Sequence, residues 1–333
     1  MNRFTSDHRP LCLRLVSSIG RALGCAAVLG LGPSVPCSSA SPIPEPPAKA
    51  SATSTAPVQD FPDLPSREVI QRAEEQAAST NDEAAVAALN ALVTWTSSNH
   101  LEVARWATEA RVRHLEKTRV ALHQLGARLF TKNADLTEVV LNGCPVRDED
   151  LRWLRGWPSL TDISLERTHV TDAGIRHLVG LPKLEWLNLY RTQIGDDSLR
   201  HLGTLPRLKH LPVGETRVTD DGLAGLKNRR EFEYLGLKGT AITDRGLEVL
   251  RDCDQLRGLH LGGTRITETV LHHIAGLKGL RRLWLDGIPV SDASLLSFAR
   301  FQGLEELHLA DTRITPKGFQ QLRAMLPQCQ ITP

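Results

Sequence analysis

The chain has 333 residues, of which 41% are hydrophobic and 23% charged, a balance that excludes a wholly disordered polymer. Its formal net charge of +2, without a basic stripe, excludes a protein that tracks nucleic-acid phosphates. Internal periodicity decides domain organisation before length does.

In chain order, residues 1–40 read as an export signal. Arg3, Arg9, Arg14 and Arg21 precede an apolar run from Ala22 to Gly32, then Pro33, Pro36 and small residues, with cleavage expected after Ala40. The run is about half of the roughly 20 residues that span a bilayer, and no other stretch qualifies, so no membrane span is expected. A secreted or periplasmic location follows. Two other readings stay open: Ala22-Leu23-Gly24-Cys25 has the outline of a bacterial lipoprotein box, although Arg21 stands where an apolar residue belongs, and the Ser- and Pro-rich start also suits an effector delivered into a host cell by a secretion system. Loss of the signal removes Cys12, Cys25 and Cys37. The odd remainder, Cys144, Cys253 and Cys329, reads as structural thiols.

Residues 41–65 form a Pro-, Ala- and Ser-rich linker (Pro42, Pro44, Pro46, Pro47, Pro57, Pro62) that cannot bury enough apolar surface to order itself. Residues 66–135 read as an α-helical capping region of two or three helices. Thr80 with Glu83, and Asn99 with Glu102, have the spacing of reciprocal capping pairs. Val86, Leu89, Leu92 and Val93, then Val103, Trp106, Ala110 and Leu115, recur at helical spacing and are expected to be buried. Such helices would cover the open end of a stack of repeats.

From Leu136 the chain divides every 24 residues, at Leu136, Leu160, Leu184, Leu208, Phe232, Leu256, Leu280 and Leu304. In each segment the fourth residue is Val, Ile or Leu and the sixth Leu or Val, the inward set of a strand. The eleventh, from Val146 to Ile314, is always Val or Ile. The sixteenth and nineteenth, such as Ile175 and Leu178, are three apart, as the buried stripe of a short helix requires. Thr171-Asp172-Ala173-Gly174, Thr219-Asp220-Asp221-Gly222 and Thr243-Asp244-Arg245-Gly246 place acceptors where helix amides are unpaired. Gly156-Trp157-Pro158 and Gly180-Leu181-Pro182 read as left-handed stops. Thr168, Thr192, Thr216, Thr240, Thr264 and Thr312, at the ninth position, are expected to bond the neighbouring coil's turn.

The pattern L-x-x-L-x-L-x-x-T-x-[IV]-T-D-x-G-L-x-x-L is similar to the leucine-rich-repeat family, both its bacterial 24-residue repeats and those of eukaryotic F-box proteins, over residues 136–327. The resemblance implies an α/β solenoid of eight strand-turn-helix repeats over residues 136–333, with a parallel sheet on the concave side and helices on the convex side. It also implies protein binding and no chemistry. Cys144 and Ile288 depart from the Thr, Pro316 departs from the Asp, and Arg229 takes an apolar position, marking the fourth-to-fifth junction as looser or specialised.

With the first, fourth and sixth residues inward, the third, fifth and seventh face outward. Trp186, His210 and Tyr234 should form one ladder, flanked by Tyr190, and His260, Trp284 and His308 another. With Arg282 these are the expected binding residues, because aromatic groups on a rigid sheet offer contact area at little entropic cost. The competing reading is ladders that pack only on themselves. Gly214, Gly236, Gly258, Gly262, Gly263 and Gly287 suggest a trough where a peptide could approach the backbone. Asp162, Glu166, Glu215 and Asp286 against Arg167, Arg191 and Arg282 give a rim of mixed sign.

Metal and enzyme chemistry find little support. His260 and His308 are about 9.6 Å apart by strand spacing, too far to share a zinc ion. His272 and His273 diverge on a helix, Cys144 has no histidine in its strand, and Gly262-Gly263 lacks a phosphate-loop spacing. The expectation is a monomeric, exported module without cofactor that holds a protein or peptide and no nucleic acid. The alternative is a secreted effector whose helical segment 64–115 recruits a ubiquitin-ligase subunit in an F-box-like manner while the repeats choose the substrate.

Overall fold

The structure, a computed structural model, describes residues 64–78, 82–132, 135–227 and 229–333. The export signal, the linker up to residue 63, and the pairing of Thr80 with Glu83 lie outside the described residues.

Three helices open the described chain: α1 (Arg67–Ala77), α2 (Asp82–Thr96) and α3 (Leu101–Gln124). Ser66 caps α1, its hydroxyl accepting the Val69 N–H at 3.3 Å. Asn99 does not cap α3. His100 holds that place without capping the helix through its side chain, and the Ser98 hydroxyl accepts the His100 N–H at 3.2 Å. On α2 the buried set is Ala85, Ala88, Leu89 and Leu92, while Val86 and Val93 are exposed, contrary to expectation. Ala85, Ala88, Leu89 and Leu92 form one i, i+3, i+4, i+7 stripe, and Val86 and Val93 fall outside it. On α3, Val103 and Ala110 are buried as expected, and Trp106 and Leu115 pack at the margin. The helices share a small core of their own, and Leu122 and Ala127 join the solenoid core beyond it.

The cap is not purely helical. A strand, β1 (Arg128–Lys132), pairs antiparallel with β2 (Asp135–Val140) and covers the first coil's edge. Every later pairing is parallel: β3 (Asp162–Ser164), β4 (Trp186–Asn188), β5 (His210–Pro212), β6 (Tyr234–Gly236), β7 (Gly258–His260), β8 (Arg282–Trp284), β9 (Glu306–His308) and β10 (Gln330–Thr332). The register advances by 24 residues at each step, and β10 adds to the eight expected coils the strand of a ninth. One coil shows why the stack holds: Leu184, Leu187, Leu189, Ile194, Leu199 and Leu202 are all completely buried. Each such side chain stabilises by about 1.5–3 kcal/mol, and only through the coils on either side.

The eighth residue of every coil is left-handed. Gly143, Gly239, Gly263 and Gly287 take φ of +67 to +72°, and Arg167, Arg191, Glu215 and Asp311 take +54 to +57° at a cost of about 1–2 kcal/mol each. Gly156 is left-handed as expected (φ +79°), whereas Gly180 is not among the left-handed residues. The ninth-position threonines close their own coil rather than bonding a neighbour: Thr168 donates to the Leu165 carbonyl at 2.7 Å, and Thr192, Thr216, Thr240, Thr264 and Thr312 repeat the bond.

Contact between coils is made by the aspartates. Asp148 accepts the backbone N–H and hydroxyl of Thr171 at 2.7 and 2.6 Å, and the pairs Asp196–Thr219, Asp220–Thr243, Asp244–Thr267 and Asp292–Thr315 do the same. Arg229 does not loosen its junction. Its guanidinium donates to the carbonyls of Gly203 (2.9 Å), Leu205 and Leu208 (3.2 Å) and lies over the Phe232 ring, so a cation satisfies two acceptors of the preceding coil and one at the start of its own.

Candidate binding face

The third, fifth and seventh residues of each coil share the open face of the sheet, as the alternation of a strand requires. The face has three regions.

Over β2–β4 it is polar and acidic. The Asn142 amide oxygen accepts the Ser164 hydroxyl at 2.6 Å and the Glu166 N–H at 3.1 Å. The Asn188 amide reaches Ser164 and Glu166 at 3.3 and 3.4 Å. This network buries Ser164 and Asn188 on a face that would otherwise be wet. Beside it, Glu138 and Asp162 are register partners. Burial raises both carboxyls above the usual carboxylate range. Asp162 adds to the effect on Glu138 against Arg128, while a bond from Thr161 tempers that on Asp162 and Glu185 adds to it. Asp162 was visible in the sequence as a third-position residue. Glu138 was missed, although one more step of the same register points to it.

Over β4 and β5 the expected residues Trp186, His210 and Tyr190 are half-buried. The Tyr190 hydroxyl donates to Glu215, Arg191 donates to the same carboxylate, and the guanidinium lies 5.3 Å from the Tyr190 ring centre. His210 Nε2 lies 4.0 Å from Glu233 Oε2, yet burial outweighs that charge and lowers the imidazole pKa.

Over β6–β9 the expected second ladder exists. Trp284 stacks on His308 with ring centres 5.4 Å apart and planes at 17°, and meets His260 at 5.4 Å on its other side. Tyr234 leaves the first ladder for this one, its ring meeting Trp284 edge-on at 6.3 Å, and Arg282 lies 5.9 Å from the Trp284 ring centre. The result is a closed cluster: Trp284 is 5% exposed and Tyr234 8%, so neither is the outward anchor the sequence suggested. The glycine trough is filled over Gly214, Gly236 and Gly258. A Cβ on Gly258 would lie 2.7 Å from Tyr234 Cδ2, one on Gly236 3.1 Å from the Tyr234 oxygen, and one on Gly214 3.0 Å from the Tyr190 ring. These glycines are small so that rings can lie flat over them. Of the expected residues, Trp186, Tyr190, His210, His260, Arg282 and His308 remain half-buried.

His260 lies 3.9 Å from Asp286, too far for a hydrogen bond. Burial, with Lys238 and His308, holds its imidazole down to about 3. The folded chain therefore refuses a proton that the unfolded chain accepts near pH 6.5, so His260 stabilises the fold above that pH and progressively less as pH falls towards 3. Urea midpoints at pH 7.5 and 4.5 should differ less in His260→Gln than in the parent. An equal difference would show that the imidazole protonates freely in the fold.

No family model and no curated protein matches the chain. Among solved structures it is similar to internalin C2 of Listeria monocytogenes, at 21% identity over 66% of this chain and 92% of that one, with a TM-score of 0.47. A leucine-rich-repeat protein of Leptospira interrogans is 20% identical over 61% of this chain and 60% of its own, with a TM-score of 0.40. The ectodomain of the Arabidopsis receptor kinase HAESA, solved with an N-terminally extended IDA peptide hormone, is 17% identical over 66% of this chain and 41% of its own, with a TM-score of 0.47. The chain's own geometry identifies the fold: with a leucine pattern of 24 residues in one register, each coil adding a strand to a single sheet, it is a leucine-rich-repeat solenoid.

Proposed function

We propose that this chain is an exported binding module that holds a protein or peptide on the open face of its sheet, with no catalytic step. The observation that carries the reading is Trp186 with Tyr190, half-buried aromatic groups at the third and seventh, outward, positions of one coil of a rigid parallel sheet. Side chains of that kind combine a large contact area with a small loss of rotamer freedom, and both ride on one coil clamped between its neighbours in the sheet. No helix among the described residues is long and apolar enough to cross a membrane.

A random 12-residue display library panned against the full chain tests this directly. Enriched peptides should bind Trp186→Ala at least tenfold more weakly, with the melting temperature within about 3 °C of the parent. Peptides indifferent to Trp186→Ala and Tyr190→Ala would place binding elsewhere. Export is tested separately: N-terminal sequencing of the secreted or periplasmic protein should begin near Ser41, and an intact Met1 in that material would defeat signal cleavage.

A further inference from the structure

We infer that the partner presents a lysine or arginine side chain to Glu138 and Asp162, seated against Trp186; this rests on the sheet-face reading above. Parallel register puts Glu138, Asp162 and Trp186 in one outward row on adjacent strands, about 4.8 Å per step. All three are half-buried, so a group lying on them is partly withdrawn from water.

The two carboxylates stand out because their acidic neighbours are compensated. Glu185 accepts Lys209 at 3.0 Å, Glu166 accepts Asn188 at 3.4 Å and lies 3.8 Å from Arg167, and Glu215 holds both Arg191 and Tyr190. Glu138 and Asp162 have no ion pair among the described residues, and the side-chain bond to Asp162 is the Thr161 hydroxyl at 2.5 Å. Arg128, on β1 opposite Val140, acts on the Glu138 carboxyl through its charge without forming an ion pair. Two like charges, adjacent and partly dehydrated, disfavour the free protein, and a cation placed between them removes that cost. Both carboxyls already titrate high, the direction expected of groups that lack a counter-charge.

The chemistry favours an organic cation over a metal ion. Calcium takes 6–8 oxygen ligands, and two carboxylates on a flat sheet supply too few. Among the described residues no group of three or more His, Cys, Asp or Glu side chains is placed to hold a metal. Trp186, next after Asp162 in the same outward row, adds what a lysine or arginine uses and a hydrated metal ion does not: an electron-rich aromatic ring. An acidic partner directed at Lys238, Arg257 and Arg282 is the competing occupant. Glu306 is the register partner of Arg282 and offsets it, whereas Glu138 and Asp162 are register partners of like charge with no ion pair among the described residues.

The same panning supplies the probe. Enriched 12-residue peptides should share a lysine or arginine, and replacing it with glutamine in the synthetic peptide should weaken binding at least tenfold. The Glu138→Gln/Asp162→Asn chain should bind the parent peptide at least tenfold more weakly while melting no lower than the parent, because two uncompensated charges are gone. Carbon-13 titration of the two carboxyls should show both pKa values falling when peptide is bound, a change that a purely structural role would not produce. Peptides that need Trp186 but carry no basic residue, acidic peptides, or indifference to the double variant would overturn the cation inference and leave the binding face standing. Absence of any Trp186-dependent peptide would instead remove the face reading, and this inference with it.

Discussion

Trp284→Ala should cost about 3 kcal/mol of stability, near the low end for a buried aromatic residue, rather than behave as a silent loss of a binding anchor. Trp284 is 5% exposed and is the hub of the cluster, touching His260, His308 and Tyr234 at once. Removing it takes away the dispersion contacts of a large ring and three aromatic pairs, each worth about 0.5–1.5 kcal/mol beyond burial. The lost contacts join β6, β7, β8 and β9, so coupling between coils falls with the total. In a stack held by nearest-neighbour interfaces that loss should broaden the urea transition or split it, with the C-terminal coils melting first. Trp186→Ala is the control on the same face, where a half-buried ring should cost about 1 kcal/mol. A Trp284→Ala protein within 1 kcal/mol of the parent by equilibrium unfolding, but unable to hold the selected peptides, would restore the anchor reading.

This reversal shows where the sequence could be read and where it could not. The period was legible because one inward position lost in any coil exposes the core of two neighbours, so the leucine columns stay in register from Leu136 to Leu309. The membership of the outward rows followed, since alternation fixes them, and His260, Trp284 and His308 do stack. Side-chain direction along the row did not follow. Tyr234 sits in the column of Trp186 and His210, yet Gly258 leaves open the space through which its ring reaches Trp284. A glycine on a sheet face is empty in the sequence and filled in the fold whenever a neighbouring ring can lean over it. The same blindness to tertiary context hid β1: Arg128-Leu129-Phe130-Thr131-Lys132 carries little strand signal, and the unpaired edge of β2 is what recruits it. Arg167, Arg191, Glu215 and Asp311 gave no sign of a left-handed backbone by residue type. Only the column they share with Gly143, Gly239, Gly263 and Gly287 does so.

Gly246→Ala is the sharpest test of how the coils are joined, because local propensity and tertiary contact predict opposite signs. In a helical turn that tolerates it, alanine stabilises relative to glycine by about 0.8–1 kcal/mol. Here a Cβ would fall well inside van der Waals contact distance of Asp220 Oδ1, 2.8 Å from Cγ and 3.2 Å from Cα of the same residue. Asp220 cannot give way freely, since its carboxylate accepts the Thr243 N–H at 2.8 Å and hydroxyl at 2.5 Å, bonds to a charged acceptor worth about 1.5–3 kcal/mol each. The substitution must either overpack the interface or break that pair, and a net loss of about 3 kcal/mol is expected. Asp220→Ala alone should cost about 2 kcal/mol by freeing the Thr243 amide at the start of the next turn. In the Asp220→Ala background the obstructing carboxylate is gone, so Gly246→Ala should become nearly neutral, and the double-mutant cycle should return a coupling of about 3 kcal/mol. Equal costs for Gly246→Ala in both backgrounds would mean that the glycine answers to its own backbone rather than to the neighbouring coil. Gly174, Gly222 and Gly318 stand in the same relation to Asp148, Asp196 and Asp292, so the result extends to the other coils in which threonine, aspartate and glycine interlock.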